Sequence, residues 1–258
     1  ISLSLSLLAS TMRDADVEYT FHCYDHCPFG NRVAFLMDRF DIKYKKVVYG
    51  YGSGALPKDC EGEVYDGDLN PRRLTGKKQL PVLQGPGVPT TTADAIGMAE
   101  SLEICSFLIA RHELVVPCAT GRSDVRGLVD YLLDKNVMNP LTLTRLTKMP
   151  VADWADPRDV TYHFWKHTKK GDLLFFDTPE QDAAAIAALN AKLAELPAML
   201  KGENCSSVNS WGWGMDDVLL LAWLRRLTCI KGVDLPQPVA AYLSGVGKQV
   251  VDYKKHAV

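Results

Sequence analysis

The stretch EYTFHCYDHCPFGNRVAFLMDR, residues 18–39, decides the fold of this chain. Glu18–Cys23 is predicted to be a short strand, and Asp25–Pro28 the turn that follows it. A helix is predicted from Pro28 to Arg39, because apolar residues recur there at helical spacing. Pro28 suits the first helical position, where its missing N–H costs nothing. The pattern therefore places Cys27 at a strand-to-helix turn.

The residues that follow continue as an α/β unit. A second strand is predicted over Tyr44–Tyr49, and the glycines and proline of residues 50–68 indicate a long loop or insertion. Gln79 and Leu80 lead into a third strand, a Gly-Pro-Gly turn follows, and a fourth strand is predicted near Val88–Thr91. A helix from about Glu100 to Ala110 completes the unit. Strands alternating with helices, followed by a hairpin, are typical of a small α/β sandwich.

After this unit the pattern becomes helical. Helices are predicted near residues 123–138, 156–169, 179–200, 215–229 and 237–252. Thr178-Pro179-Glu180-Gln181 is a strong helix start, with a capping residue, a proline and a glutamine in the expected order. The predicted fold class is therefore α/β plus all-α. The predicted domains are an extension over 1–17, an α/β domain over 18–110, a linker over 111–122 and an all-helical domain over 123–258.

Composition excludes several classes of protein. The 258 residues carry 29 Lys and Arg against 31 Asp and Glu, a formal net charge of −2. Charges so balanced give no reason to expect a nucleic-acid partner, and the longest apolar runs are too short to span a membrane. Seven cysteines without regular spacing do not make a secreted disulfide framework. We expect a soluble globular protein of a reducing compartment, either the cytosol or an organelle matrix or stroma.

The amino-terminal segment begins with Ile1 and alternates Ile or Leu with Ser over its first residues. Two interpretations stay open, a targeting-peptide remnant and a loosely packed extension. Such a segment cannot form a stable strand alone, since its backbone edge would be unpaired. We therefore expect residues 1–12, if ordered, to contact another protein chain. Trp211-Gly-Trp213 is either a loop packed on the helical domain or a second exposed contact.

Cys27 is the strongest candidate for chemistry. Free backbone N–H groups and the positive end of the helix dipole stabilise an anion at a helix start. A cysteine there has its thiol pKa lowered from about 8.5 to roughly 3.5–7.5, and Arg32 adds positive charge one turn later. The alternative interpretation is a small buried apolar residue, the usual fate of an intracellular cysteine.

Two further features follow in order. Pro81 lies where a strand is expected, so either the strand begins at Val82 or the Leu80–Pro81 bond is cis and turns the Leu80 backbone towards a ligand. Glu100-Ser101 begins a helix, where Ser101 either caps the helix or binds a ligand carboxylate.

Together the three features resemble the glutathione-binding thioredoxin-like domain of the glutathione transferase superfamily. Residues 24–36 are similar to the active-site turn of type-2 glutaredoxins, residues 76–84 to their cis-proline segment, and Glu100-Ser101 with Ile104 to their γ-glutamyl site. The likeness continues through residues 216–242, spans most of residues 19–250, and leaves out residues 50–68.

The resemblance implies a role for each matching residue. Cys27 would be the nucleophile, with Arg32 and the first-turn amides stabilising its charge. Leu80, beside Pro81, would pair with the cysteinyl backbone of glutathione. The other residues that we expect to contact glutathione are Pro28, Phe29, Lys78, Gln79, Pro81, Glu100 and Ser101, with Lys78 and Gln79 at the glycyl carboxylate and Glu100 and Ser101 at the γ-glutamyl end.

Two positions depart from the family pattern. Gly30 stands where glutaredoxins of this type usually carry a second cysteine, which excludes an intramolecular dithiol mechanism at this turn. The resulting Cys-Pro-Phe-small-x-Arg turn is closer to omega-class transferases and dehydroascorbate reductases. Gly214 replaces the usual Ser or Thr three residues before Asp217, which weakens a helix cap by a few tenths of a kcal/mol.

Other chemistries are weaker candidates. Cys23 and Cys27 have no second pair at matching distance, so neither a zinc site nor any other metal is expected. An iron–sulfur cluster is disfavoured because Pro28-Phe29 is bulky. His22 and His26 flank the turn and could shuttle protons, although a surface or capping histidine is the commoner case. The remaining cysteines are interpreted as core or surface thiols: Cys60, Cys105, Cys118, Cys205 and Cys229.

Two functions stay open. The first is a glutathione-dependent thiol transferase, which attacks a glutathionylated substrate or reduces a small oxidant such as dehydroascorbate through Cys27, with glutathione as cosubstrate. The second is a transferase-fold subunit of a larger assembly, with little or no catalysis of its own. An intact site does not prove a used site.

Overall fold

The computed structural model describes residues 18–57, 65–67, 69–116 and 122–258. The first part of the chain forms a mixed sheet in the order β2-β1-β3-β4. Its strands are β1 (Tyr19–Cys23), β2 (Tyr44–Val48), β3 (Val82–Gln84) and β4 (Met98–Ala99). Its helices are α1 (Pro28–Arg39), α2 (Arg72–Thr75) and α3 (Ser101–Arg111).

Strand β1 is central in this sheet. It runs parallel to β2, which a crossover through α1 permits, and antiparallel to β3. Tyr19 and Phe21 are fully buried, as expected for a strand covered on its faces. The predicted strand–helix–strand start of the chain is confirmed, and β1 ends at Cys23, four residues before Cys27.

The fourth strand lies later than predicted. No strand forms over the described residues Val88–Thr91, and Met98–Ala99 pairs with β3 instead. Thr91 accounts for the difference, because its N–H donates to the Gly97 carbonyl at 3.2 Å and its Oγ1 accepts the Ala99 N–H at 2.7 Å. Residues 88–91 thus form a loop whose Thr91 is hydrogen-bonded to Gly97 and Ala99, where β4 lies.

The second part of the chain is helical, which confirms the predicted fold class. Its α-helices are α4 (Ser123–Leu133), α5 (Lys135–Leu146), α6 (Pro157–Lys169), α7 (Pro179–Leu193), α8 (Leu196–Met199), α9 (Met215–Leu227) and α10 (Gln237–Ser244). Short 3₁₀ helices lie at Ala152–Trp154, Glu203–Cys205 and Lys254–His256.

Three predicted helices have different bounds, and the helix expected over 179–200 is divided into α7 and α8. The helix expected over 123–138 breaks at Asp134, whose backbone is extended and whose side chain caps α5 by accepting the Asn136 N–H at 2.9 Å. The helix expected over 237–252 ends at Ser244. The N–H groups of Lys248 and Gln249 donate to the Asp38 carboxylate at 2.6 and 2.8 Å, so this backbone turns away from a helical path.

Side chains cap the helices that the sequence singled out. Thr178 Oγ1 accepts the Gln181 N–H at 3.3 Å, which confirms the predicted start of α7. At the start of α9, Asp217 accepts the Gly214 N–H at 2.8 Å, and the Gly214 cap lacks a side chain as expected. The capping box therefore retains the half that Asp217 supplies.

Helices α1 and α9 join the two parts of the chain. Fully buried residues of both helices, among them Phe35 and Leu224, belong to one hydrophobic core. This packing fixes α1, and with it the Cys27 turn, against the helical part. The domain bounds 18–110, 111–122 and 123–258 stay a prediction.

Candidate functional site

The turn between β1 and α1 carries Cys27 just before the first helical residue. The Cys27 N–H donates to the Tyr24 carbonyl at 3.1 Å, and the Cys27 carbonyl accepts the Asn31 N–H at 3.0 Å. Cys27 is the N-cap residue, with extended backbone, and Pro28 takes the first helical position. The predicted placement of Cys27 is confirmed, and its thiol is a free one.

The electrostatics of Cys27 differ from the expectation. Burial raises the pKa of the thiol above its ordinary value, and the N–H groups of Gly30 and Phe29 oppose this only in part. Asp153 raises the pKa of Cys27 further, and Lys166 lowers it. The expected lowering of the thiol pKa is therefore wrong, because desolvation of the thiolate outweighs the helix-start amides.

Arg32, the second proposed catalytic residue, is buried one turn into α1. Its guanidinium lies over the Phe29 ring at 4.9 Å from the centroid. Burial lowers the pKa of Arg32, while the neighbouring thiols Cys105 and Cys27 raise it. Arg32 is thus close enough to act electrostatically on Cys27, although it does not overcome the burial of the thiol.

A cavity of about 190 Å³ opens beside the start of α1. The Leu80–Pro81 peptide bond in its wall is cis, as predicted. We call this feature the proline cavity; its lining residues are Phe29, Gln79, Leu80, Pro81, Glu100 and Ser101. All six are residues for which glutathione contacts were predicted from separate segments of the sequence, and the fold brings them together.

Glu100 and Ser101 meet the cavity at the start of α3. Glu100 is the N-cap residue, with φ of 72°, a backbone conformation that favours glycine. Its side chain is exposed, and its carbonyl accepts the Ile104 N–H at 2.9 Å. Strained backbone conformations of this kind cluster at functional sites, which makes Glu100 a candidate functional residue.

Lys78 turns away from its predicted role. Its Nζ donates to the Tyr24 hydroxyl at 3.0 Å and to the Tyr51 carbonyl, and it lies 4.6 Å from the centroid of the Tyr162 ring. In this arrangement Lys78 faces a cluster of aromatic rings rather than the proline cavity. Pro28 is buried in α1 and does not line the cavity either.

The aromatic cluster that Lys78 contacts combines rings from both parts of the chain. We call it the aromatic wall; its residues are Tyr24, Tyr51, Trp154, Tyr162 and His163. Tyr51 is central, with ring centroids of its neighbours 5.0–5.7 Å away. Cys27 packs against the hydrophobic cluster that contains Tyr24, Tyr51 and Tyr162. Cys27 therefore packs on a cluster that contains rings from both parts of the chain.

Part of the expected insertion over residues 50–68 supports this wall. Asp159 of α6 is buried and accepts the Gly52 N–H at 2.6 Å and the Tyr65 hydroxyl. The Tyr51 N–H donates to the Asp153 carbonyl at 3.0 Å. The described residues of this loop are therefore tied to the helical part.

Sequence reasoning did not find Tyr51, Asp153 or His163. Asp153 lies 126 positions after Cys27 along the chain and has no local motif. One signal was available nearby, since Asp156 and Asp159 form a capping box at the start of α6. That signal predicts a helix start, but not that the helix faces Cys27.

The two histidines near the turn have different surroundings. His22 Nδ1 lies 2.8 Å from the Tyr49 hydroxyl, and the other ring nitrogen bonds Gln84. His26 Nδ1 lies 2.9 Å from Asp153 Oδ1. Neither is a surface histidine, since both are less than a tenth exposed. The expectation of a surface or capping role is therefore wrong for both.

The remaining features have mixed outcomes. Within the described ranges, no group of three His, Cys, Asp or Glu side chains could hold a metal ion, and no helix is long and apolar enough to cross a membrane. Trp213 is buried against Phe40, whereas Trp211 is about half exposed. The predictions for residues 1–12, Cys60 and Cys118 fall outside the described residues.

Comparisons with known proteins agree with this arrangement. Residues 133–251 match the family model described as the C-terminal domain of glutaredoxin 2. Glutaredoxin 2 of Escherichia coli K12 is 25% identical over 230 residues, which cover 88% of this chain and 94% of that protein. The crystal structure of Salmonella typhimurium glutaredoxin 2 in complex with glutathione has a TM-score of 0.72 at 20% identity, over 93% of this chain and 99% of that chain. The last likeness confirms the fold, a thioredoxin-like unit followed by a helical domain.

Proposed function

We propose that this chain, which is similar to glutaredoxin 2 in sequence and in fold, is a glutathione-dependent thiol–disulfide oxidoreductase. Cys27 is its nucleophile and glutathione its cosubstrate. One observation carries this proposal: six residues from three separate segments line a single cavity beside the start of α1, the helix that Cys27 caps.

The cavity suits the parts of glutathione. Leu80, next to the cis bond, offers its backbone to the cysteinyl residue, as strand-like pairing with a peptide requires. Glu100 and Ser101 lie at the start of α3 for the γ-glutamyl end, where the serine hydroxyl and free helix N–H groups suit its carboxylate. Gln79 is the candidate for the glycyl carboxylate, since Lys78 faces the aromatic wall.

The reaction has two exchange steps. The Cys27 thiolate attacks the glutathione sulfur of a mixed disulfide, the disulfide bond breaks, and the substrate thiolate leaves with the electron pair. The thiolate of a second glutathione then attacks the Cys27-bound glutathionyl sulfur, which releases glutathione disulfide and restores Cys27. A single cysteine suffices for this cycle, in keeping with glycine at position 30.

The choice of acceptor is open between mixed disulfides and a small oxidant such as dehydroascorbate. Free thiols as the working groups imply a reducing compartment. The alternative function, a docking subunit, is supported within the described residues only by the half-exposed Trp211, because Trp213 is buried.

The test is glutathione-dependent reduction of the mixed disulfide of glutathione and 2-mercaptoethanol, with dehydroascorbate as a parallel acceptor. Cys27→Ser should reduce the rate to the uncatalysed background, since serine is a far weaker nucleophile at neutral pH. Mass spectrometry of the wild type should find one glutathionyl group on Cys27.

Cys205→Ser is the matched control, because Cys205 is a partly exposed free thiol of the helical domain. It should keep the full rate. Activity that survives Cys27→Ser, or a wild type that reduces neither acceptor, would contradict the proposed function.

A further inference from the structure

Arg226 of α9 is a buried cation to which the function proposed above assigns no role. It is 8% exposed, and its Nε is buried without a hydrogen-bond acceptor. The preceding residue, Arg225, pairs with Asp25 at 2.7 Å, whereas Arg226 has no carboxylate at ion-pair distance among the described residues. Arginine is rarely buried unless it is paired, because an uncompensated buried charge is destabilising. Arg226 therefore lacks the negative charge that its burial requires.

Arg32 of α1 is in the same condition. It is 7% exposed, and its Nε has no acceptor either. The Arg32 guanidinium lies 4.9 Å from the centroid of the Phe29 ring, and the Arg226 guanidinium lies 5.5 Å from that of Trp223. The rings of Phe29 and Trp223 meet edge to face, 6.3 Å apart. Two unpaired arginines are thus linked by two rings, one of which lines the proline cavity.

Both guanidinium groups remain accessible through their terminal nitrogens. In Arg32 and in Arg226 it is Nε that is enclosed without an acceptor. Their Nη atoms make no hydrogen bond within the part of the chain that the structure describes, and they are not among the enclosed atoms. An anion from solution can therefore approach both charges.

Lys166 of α6 adds a third cation near Cys27. Its Nζ donates to the Tyr51 hydroxyl at 2.9 Å and lies 4.7 Å from the centroid of that ring, and Cys27 packs on the cluster that contains Tyr51. Within the described ranges Lys166 has no carboxylate partner. Lys166 lowers the pKa of Cys27, and a charged Cys27 raises the pKa of both arginines. All three cations are therefore within electrostatic range of the thiol.

The carboxylates near the turn do not cancel these charges. Asp25 is already shared by two other cations, Arg225 and Lys46. Asp153 is bonded to His26 and to the Asp25 N–H, and its single charge stands against three cations. Solvent screens buried charges weakly. The surroundings of Cys27 are therefore positively charged.

We propose that these cations select the acceptor, and that the disulfide which Cys27 reduces carries a carboxylate beside the leaving sulfur. The acceptor class is then the glutathione mixed disulfides of small acidic thiols, a choice that rests on the function proposed above. Arg226 is the principal specificity residue, because a buried charge acts more strongly than an exposed one, and Lys166 is the second. The exchange is unchanged: Cys27 bonds the glutathione sulfur, the disulfide breaks, and the acidic thiolate leaves with the electron pair.

The first measurement compares iodoacetate with iodoacetamide as alkylating agents of Cys27, by peptide mass spectrometry. The two reagents are similar in size and differ by one negative charge. Both react with the thiolate, so the ratio of their rates does not depend on the thiolate fraction. The ratio of iodoacetate to iodoacetamide labelling should be about tenfold higher at Cys27 than at Cys205, a partly exposed free thiol. Arg226→Gln and Lys166→Gln should each lower it at Cys27 towards the value at Cys205.

Arg126→Gln is the matched control, because Arg126 is an exposed arginine of α4 that pairs with Asp130. It should leave the labelling ratio at Cys27 unchanged. Arg226→Gln removes a buried charge that has no partner, so it should not lower the midpoint of thermal unfolding. If that variant does not fold, Lys166→Gln decides, since Lys166 is less buried. A wild-type ratio equal at Cys27 and Cys205, or one that neither site variant changes, would overturn the assignment.

Turnover then tests the acceptor class. The mixed disulfides of glutathione with mercaptoacetate, 2-mercaptoethanol and cysteamine differ in one group, which is a carboxylate, a hydroxyl or an ammonium. We expect kcat/KM to fall in that order and the spread to shrink in Arg226→Gln. Equal values for the three would overturn the acidic acceptor. Reduction of none of them, with the labelling preference intact, would overturn the proposed function alone, because alkylation needs no glutathione.

Discussion

The proline cavity and the aromatic wall are built in different ways. The cavity is open, its Phe29 is 45% exposed, and its residues come from the α/β unit alone. The wall is closed, its Tyr51 is 6% exposed, and Trp154, Tyr162 and His163 reach it from the helical part.

This difference in exposure suits the two regions to different tasks, the cavity to ligand binding and the wall to control of the thiol. The cavity exposes backbone and polar ends that a peptide ligand can bind. Cys27 packs on the cluster that contains Tyr51, and burial raises the pKa of its thiol. Substitutions in the cavity and in the wall are therefore expected to have different effects.

The largest effect is expected at Tyr51. Tyr51→Ala removes a buried ring at the centre of the wall and should lower the free energy of unfolding by about 3–5 kcal/mol. Tyr51→Phe keeps the ring and loses the hydroxyl that accepts from Lys166 at 2.9 Å, at about 1 kcal/mol. Urea unfolding followed by tryptophan fluorescence measures both.

Phe29→Ala is the matched change in the proline cavity. Because Phe29 is half exposed, its loss should cost less than about 2 kcal/mol. Equal losses in the free energy of unfolding for Phe29→Ala and Tyr51→Ala would contradict the distinction between an open cavity and a buried wall.

The next largest loss of stability is expected at Asp25, whose ion pairs join the turn to α9 and to β2. Arg225 Nη2 lies 2.7 Å from Asp25 Oδ2, and Lys46 pairs with Asp25 Oδ1. Burial opposes ionisation of Asp25, but Arg225 and Lys46 outweigh it and hold the pKa of Asp25 below its ordinary 3.8. Asp25→Asn should therefore cost about 3 kcal/mol at pH 7, because it leaves a buried arginine without its counter-charge.

The pH dependence of this loss has a definite sign. A lowered carboxyl pKa contributes stability above the ordinary value and loses it as pH falls, so wild type and Asp25→Asn should converge below pH 3.8. Asp41→Asn removes the exposed pair with Lys248 and should cost at most about 1 kcal/mol. A constant gap between wild type and Asp25→Asn down to pH 2 would contradict the ion-pair account.

The smallest effect is expected at Glu100, on the cavity side. Glu100→Gly suits the φ of 72° and should raise the free energy of unfolding by about 1 kcal/mol. It also removes the carboxylate proposed to hold the γ-glutamyl end, so the KM for glutathione should rise about tenfold.

Glu103→Gly is the control, because Glu103 is exposed in the first turn of α3. It should destabilise the protein by about 1 kcal/mol and leave the KM unchanged. If Glu100→Gly destabilises the protein, or leaves the KM unaltered, the cavity does not bind glutathione in the proposed way.

The proline cavity and the aromatic wall also differ in how far the sequence predicts them. The turn before α1, the cis Leu80–Pro81 bond and the Glu100-Ser101 helix start are local features, so short stretches of sequence suffice. Strand β4 was misplaced because two residues carry no periodic pattern. Only the cap of α6 gave a local sign of the helical residues that complete the wall.

The direction of the Cys27 pKa could not be predicted for the same reason. A helix start is visible in the sequence, but burial depends on what packs against it, and Asp153 and Tyr51 come from distant segments. Local sequence rules include the effect of the helix-start amides on the thiol pKa, but not the larger effect of burial. The wrong prediction thus marks the place where tertiary structure controls the chemistry.

The glycine at position 30 leaves little space for a side chain beside the Cys27 turn. A side chain there would begin 3.3 Å from the Cβ of Cys23 and 3.5 Å from the Tyr24 carbonyl oxygen. Cys23→Ala would not relieve this contact, because alanine keeps its Cβ, so a cysteine at position 30 needs the Cys23 backbone to shift by a few tenths of an ångström. Gaining a second thiol at this turn is therefore a change in packing as well as in chemistry, since the end of β1 would have to move with Cys23.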